Sequence, residues 1–161
     1  MDGAWCTAAG GLARSALVAD AALAGGAQGI GVIPTSPMQR ELGHTAVTEL
    51  HEVETMHQRK QKMADLSDAY VATLGGIGTF EELFDIWTWR QLGYDDKPIG
   101  LLNLDGYYER LLSFIEQSTR RGFIDSRQQA VLQVHTRFAP LLDALANLTP
   151  RATAADDYRF I

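Results

Sequence analysis

The sequence predicts an α/β fold in which a parallel sheet is flanked by helices on both faces, and three observations predict it. Short apolar runs alternate along the chain with longer helical patterns. Most of those runs are continuously apolar, as strands buried on both faces are. A glycine cluster, Gly75-Gly76-Ile77-Gly78, stands between one such run and a helix. That junction is the carboxyl end of a strand, where open α/β sheets bind their ligands.

The elements follow in order. Leu12 to Ala24 is alanine-rich and reads as a helix, stopped by Gly25 and Gly26. Ile30 to Ile33, ending at Pro34, reads as a buried strand, and Thr35 to Thr45 as irregular. Thr48 to Val53 reads as a strand and Met56 to Leu66 as a helix. Ala69 to Leu74 is the strand before the glycine cluster, and the helix after it spans about Phe80 to Leu92. A strand over Pro98 to Leu102 precedes a turn at Asp105-Gly106 and a helix over Tyr107 to Arg121. Ala130 to Val134 reads as the last strand and Phe138 to Leu148 as the last helix. Met1 to Leu12 carries no strand signal, so the N-terminal strand usual in such sheets is expected to be missing. The organisation expected is a single Rossmann-like domain over 1–148 with a C-terminal tail over 149–161, whose Tyr158 and Phe160 could dock.

Bulk properties exclude several classes of function. The net charge is −6 and the isoelectric point about 5.1. Such a chain has no general attraction for nucleic acid or an anionic membrane, so any phosphate must be held locally. A single cysteine, Cys6, excludes an internal disulfide and fits a reducing, cytoplasmic location. No apolar run approaches the ~20 residues that span a bilayer, and no signal-peptide pattern opens the chain. His44, His51, His57 and His135 lack metal-ligand spacing, so no metal site is expected.

Three constellations could carry chemistry. Glycines at the cluster would let backbone N–H groups approach an anion, and the helix start adds donors and positive dipole; a plain tight turn is the alternative. Thr79 and Glu82 have capping-box spacing, so Glu82 either caps the helix or serves as an acid/base or stabilising carboxylate beside a ligand. Phe80, Leu83, Phe84 and Trp87 share one helix face and should pack on the sheet, while Ile86 and Trp89 join Glu82 on another, which suggests a helix covered on both sides. Thr55 and Gln58 form a second capping box. On the helix it starts, Met56, Arg59, Lys60 and Met63 share a face. The two cations either snorkel or recognise phosphate or carboxylate, for which Arg offers a bidentate fork.

Leu74 to Glu82 resembles the P-G-G-x-G-T-x-x-E signature of the LONELY GUY family, and Met56-His57-Gln58-Arg59-Lys60 resembles its M-H-x-R-K signature. The flanks resemble it too: Gly31-Val32-Ile33-Pro34, Arg40-Glu41-Leu42, Leu50-His51-Glu52-Val53 and Trp87-Thr88-Trp89. The resemblance runs from about Val18 to Leu145. It implies a cytokinin riboside 5′-monophosphate phosphoribohydrolase, which splits the N-glycosidic bond of an adenine-type nucleotide into base and ribose 5-phosphate. By resemblance, Glu82 and Arg59 are the catalytic pair: Glu82 stabilises the oxocarbenium-like centre and orients or deprotonates water, and Arg59 holds the substrate and polarises its reacting end. By the same resemblance, Gly76, Ile77, Gly78 and Thr79 form the phosphate-binding loop, and Gly75, Phe80, Glu81 and Glu82 are further substrate-binding positions. Glu41, Lys60 and Thr88 are further substrate contacts. The resemblance also implies a homo-oligomer, at least a dimer, and no cofactor is expected. Two departures stand out: the loop's leading proline is Leu74, and the family's second glycine loop reads Ala8 to Ala16 without G-L-M-G. The alternative function is a non-catalytic nucleotide-monophosphate-binding protein. Lysine decarboxylation, a label often given to the family, needs a Schiff-base lysine, and nothing marks Lys60, Lys62 or Lys97 as one.

Overall fold

The computed structural model describes residues 4–6, 20–35 and 47–149. The chain divides into two compact units, residues 1–67 and 68–161.

In the first unit, strands β1 (Ala4–Cys6), β2 (Gln28–Pro34) and β3 (Glu49–Val53) form a parallel sheet in that order. β1 overturns the expectation of a missing N-terminal strand: Ala4 pairs with Gln28, Trp5 with Gly29 and Cys6 with Ile30. Three residues carry too little pattern to be read as a strand, but the open ladder of β2 supplies partners. Residues 20–24 are helical. The predicted glycine stop is realised: Gly26 adopts φ +82, and its N–H and that of Ala27 return to the Leu23 and Ala22 carbonyls at 2.9 and 3.0 Å. The preceding part of that helix, residues 12–19, lies outside the described residues. Helix α1 (Met56–Asp65) packs on β2 and β3. Its predicted capping box is formed: the Gln58 N–H donates to Thr55 Oγ1, and the Thr55 N–H to Gln58 Oε1, both at 3.1 Å.

In the second unit, β4 (Tyr70–Ala72), β5 (Ile99–Leu102) and β6 (Leu132–His135) form another parallel sheet with β5 in the middle. All four β5 residues are buried. Their alternation divides the core. Ile99 and Leu101 face Leu83 and Trp87 of α2 (Ile77–Leu92), Tyr108, and Ile115 of α3 (Glu109–Arg120). Leu102 faces Leu141 and Leu145 of α5 (Phe138–Leu148). Helices therefore cover both faces of this sheet, as predicted. Gly100 lets α5 come close: a Cβ there would lie 2.9 Å from a methyl of both Leu141 and Leu145.

Three local expectations are corrected. First, α2 begins at Ile77 with Gly76 as its cap, three residues earlier than the Thr79 capping box required. Second, a short helix α4 (Ser126–Val131) takes residues assigned to the last strand. The Asp125 carboxylate caps it by accepting the Arg127 N–H at 2.8 Å, and buried Trp87 donates its Nε1–H to the Gln128 carbonyl at 3.0 Å. Third, Phe84 is 40% exposed and stacks along Trp87 rather than entering the core. Ile86 packs against the core instead. Among the described residues no helix is long and apolar enough to cross a membrane.

Candidate functional site

The glycine cluster lies where β4 gives way to α2. Gly75 is buried because Thr79 folds back on it: a Cβ on Gly75 would fall 1.9 Å from Thr79 Oγ1 and 2.7 Å from Thr79 Cβ. Only glycine allows that approach. Gly76 is the opposite case, exposed and with open space where a side chain would stand. It caps α2 without any side-chain hydrogen bond, and its carbonyl accepts the first helical bond from the Phe80 N–H at 3.1 Å. The N–H groups of Ile77, Gly78 and Thr79 precede that bond and have no partner within the helix. No acidic side chain stands in the first turn to offset the helix's positive end. Ile77 is 84% exposed, an apolar side chain left at the rim.

Two tyrosines that the sequence reading passed over brace this stretch. Tyr107 donates its hydroxyl to the Gly75 carbonyl at 2.8 Å, and Tyr108 to the Thr73 carbonyl at 2.6 Å. Their rings meet edge-on at 4.8 Å, and Tyr108 meets Phe80 edge-on at 6.0 Å. A turn of 3-10 helix, Leu104–Gly106, aims them, with Asp105 at φ +51 and Gly106 at φ +72. Buried Asn103 ties the turn to β5: its Oδ1 accepts the Tyr108 N–H at 2.8 Å, and its Nδ2 donates to Glu109 at 3.2 Å. Burial, and then the neighbouring Tyr107, raise the Tyr108 phenol above its ordinary pKa, so it remains a donor. The sequence marks these residues only by the Asp105-Gly106 turn before them; Tyr107 and Tyr108 themselves read as the start of a helix.

Along α2, Glu82 is half-buried and Glu81 exposed, and both engage neighbouring groups. Thr88 is exposed, shares the face of Glu81, and donates its hydroxyl to the Phe84 carbonyl at 2.7 Å. These residues, with Gly75 to Phe80, belong to the second unit. Arg59 and Lys60 belong to the first. Arg59 is 5% exposed and donates its Nε–H to the Val32 carbonyl of β2 at 3.1 Å. It does not snorkel. Its neighbour on that face, Met63, is buried, whereas Met56 is 44% exposed. A buried guanidinium is costly unless its donors are used, so the fold holds Arg59 for its polar head rather than its stem. Lys60 is half-buried and also has a partner. Glu41 and the Ala8 to Ala16 segment lie outside the described residues. No group of three His, Cys, Asp or Glu side chains gathers among the described residues.

A parallel α/β unit with a glycine loop at a strand's carboxyl end, opening directly into a helix, defines a Rossmann-like protein whose loop can take an anion. The chain matches the family profile described as "Possible lysine decarboxylase" over residues 16–145. It is 49% identical over 123 residues to cytokinin riboside 5′-monophosphate phosphoribohydrolase LOG4 of Arabidopsis thaliana, covering 76% of this chain and 57% of that protein. It is 43% identical over 142 residues to LOG1 of the same plant, covering 88% and 67%. It is 44% identical over 135 residues to the probable cytokinin riboside 5′-monophosphate phosphoribohydrolase LOGL2 of Oryza sativa subsp. japonica, covering 84% and 55%. The chain belongs to this family, the LONELY GUY family, and spans between half and two thirds of the length of these relatives.

Proposed function

We propose that this chain hydrolyses the N-glycosidic bond of an adenine-type nucleoside 5′-monophosphate of the cytokinin kind. Water adds its oxygen to C1′ of the ribose, the bond to the base nitrogen breaks, and that nitrogen leaves with a proton. The observation that carries the reading is the Gly75–Thr79 turn, closed by Thr79 and capped by a bare glycine at an uncompensated helix start. A phosphate dianion is the natural complement of such a start. The family's named relatives supply the reaction.

In this reading the backbone of Gly75 to Thr79, with Phe80 and Glu81 beside it, holds the phosphate. Glu82 is the carboxylate that stabilises positive charge at the ribosyl centre and orients or deprotonates the attacking water. Arg59 holds the substrate and polarises its reacting end. Glu41, Lys60 and Thr88 complete the substrate contacts. The chain acts as a homodimer in the cytoplasm, and the exposed Phe84 and Leu92 on α2 support a covering subunit. Lysine decarboxylation fits poorly: Lys97 is held 3.5 Å from the Asp95 carboxylate and over the Tyr70 ring.

The test is incubation with AMP and with isopentenyladenosine 5′-monophosphate, following free base by chromatography. Release of base that Glu82→Gln abolishes supports the reading. Calorimetric binding of both nucleotides without release moves the protein to a non-catalytic nucleotide binder. Sedimentation equilibrium decides between monomer and dimer.

A further inference from the structure

Every backbone donor of a phosphate loop must be aimed, and a peptide plane is aimed by either of its ends. Carbonyl and N–H of one trans peptide point in opposite directions. The Gly75 carbonyl and the Gly76 N–H share a plane, as do the Thr73 carbonyl and the Leu74 N–H. Gly75 cannot restrict its own peptide, because it has no side chain. Thr79 closes one side of it, and the carbonyl is left for another group to fix.

We propose that Tyr107 and Tyr108 are positioning residues for the phosphate-holding loop, fixing the Gly75 and Thr73 carbonyls so that the Gly76 N–H and the start of α2 face the anion. This rests on the reading of that loop as the phosphate site. Tyr108 alone would not carry the inference, since it is 1% exposed and a buried phenol takes whatever acceptor is near. Tyr107 carries it. The residue is 52% exposed, so the core does not need it, yet its hydroxyl reaches a carbonyl 32 residues away in sequence at 2.8 Å. The turn that aims it uses a left-handed Asp105, a conformation that non-glycine residues seldom adopt, and is anchored through Asn103 to the end of the central strand. The loop is thereby indexed to β5 by hydrogen bonds. A carbonyl oxygen held by a phenol is also kept from turning toward the ligand, where it would repel phosphate.

The experiment compares the full chain with Tyr107→Phe and Tyr108→Phe, each of which removes one hydroxyl and little volume. Affinities for AMP, inorganic phosphate and adenosine are measured by calorimetry, and amide exchange at Gly76 and Ile77 by NMR. A lost neutral hydrogen bond predicts an affinity about three- to tenfold weaker for AMP and phosphate in Tyr107→Phe, an unchanged affinity for adenosine, and faster exchange at Gly76. Tyr108→Phe shows the same selectivity. Equal weakening for adenosine and AMP marks a general structural role and overturns the proposal, as does an unchanged affinity for AMP in both variants. If the unmodified chain binds neither AMP nor phosphate, the phosphate reading of the loop is wrong and the proposal falls with it. Failure of the positioning role alone shows as tight AMP binding in all three proteins.

Discussion

Gly75→Ala is the sharpest perturbation that the structure offers. The new Cβ would stand 1.9 Å from Thr79 Oγ1, 2.7 Å from Thr79 Cβ and 3.2 Å from Thr79 Cγ2. Rotating χ1 of Thr79 moves the oxygen and the methyl away, but Cβ is bonded to the backbone of α2 and cannot be rotated away. To restore an ordinary carbon–carbon separation, the helix start must retreat by on the order of an ångström. Overpacking of this kind costs about 1–3 kcal/mol, a melting temperature lower by roughly 3–10 °C in a chain of this size. The loss in function is larger. Donors displaced by that distance no longer reach the anion together, and misplacement on this scale costs about a hundredfold. Differential scanning fluorimetry and AMP titration measure the two effects. Gly76→Ala is the internal control: its Cβ meets no atom within 4 Å, so only the exchange of a glycine cap for alanine lowers the melting temperature, by less than Gly75→Ala does. A Gly75→Ala protein that melts with the parent and binds AMP as tightly would falsify the close Thr79 contact and the aiming of the donors derived from it.

Further outcomes are expected elsewhere. Gly100→Ala drives a Cβ into Leu141 and Leu145 and should destabilise the second unit by about 1–3 kcal/mol in a urea titration, with Leu141→Ala partly relieving it. Arg59→Met removes the Nε donor to the Val32 carbonyl and should lower stability by about 1–3 kcal/mol, read in the same titration; equal stability would mean that the buried head contributes nothing to folding. The raised pKa of Tyr108 makes the folded state hold that proton more tightly than the unfolded state. Its contribution is therefore complete below the ordinary phenol value of 10.0 and falls away as the pH climbs through that value toward the folded one. Urea midpoints measured across that range should decline in the parent, and the decline should be shallower in Tyr108→Phe. Glu82→Gln should leave AMP affinity within a few-fold while base release drops by about a hundredfold or more, the scale of a lost general acid or base.

Much of this architecture was legible in the sequence, and the exceptions share a cause. Strand β5 was read correctly because four apolar residues after a proline leave few options, and the structure buries all four. The Thr55–Gln58 cap was read correctly because both partners are local. What escaped depends on distant partners. β1 exists because β2 offers a ladder, and α4 takes the place of the last strand's start where Trp87 reaches its backbone from 41 residues away. Tyr107 and Tyr108 act across 32 and 35 residues. The site followed the same division: the glycine loop announced itself by composition, whereas its bracing could not be read before the turn that folds it back was known.

The earlier start of α2 also alters the standing of Glu82. Capping-box spacing with Thr79 offered a complete structural reason for a glutamate at that position, because an N-cap threonine and a glutamate three residues on satisfy each other's backbone donors. With Gly76 at the cap, Thr79 occupies the third helical position and turns its side chain onto Gly75, while Glu82 falls a further turn along. Helix capping no longer accounts for it. Nor does the macrodipole, whose pull on a carboxylate fades beyond the first turn. A half-buried carboxylate there carries a desolvation cost that a glutamine or an alanine would avoid. On the proposed reading, the early start leaves the first N–H groups of the helix to a phosphate and sets Glu82, which engages a neighbouring group, one turn deeper than a cap would. A reaction that gathers negative phosphate at one end and positive ribosyl character at the other calls for that division of charge along a single helix.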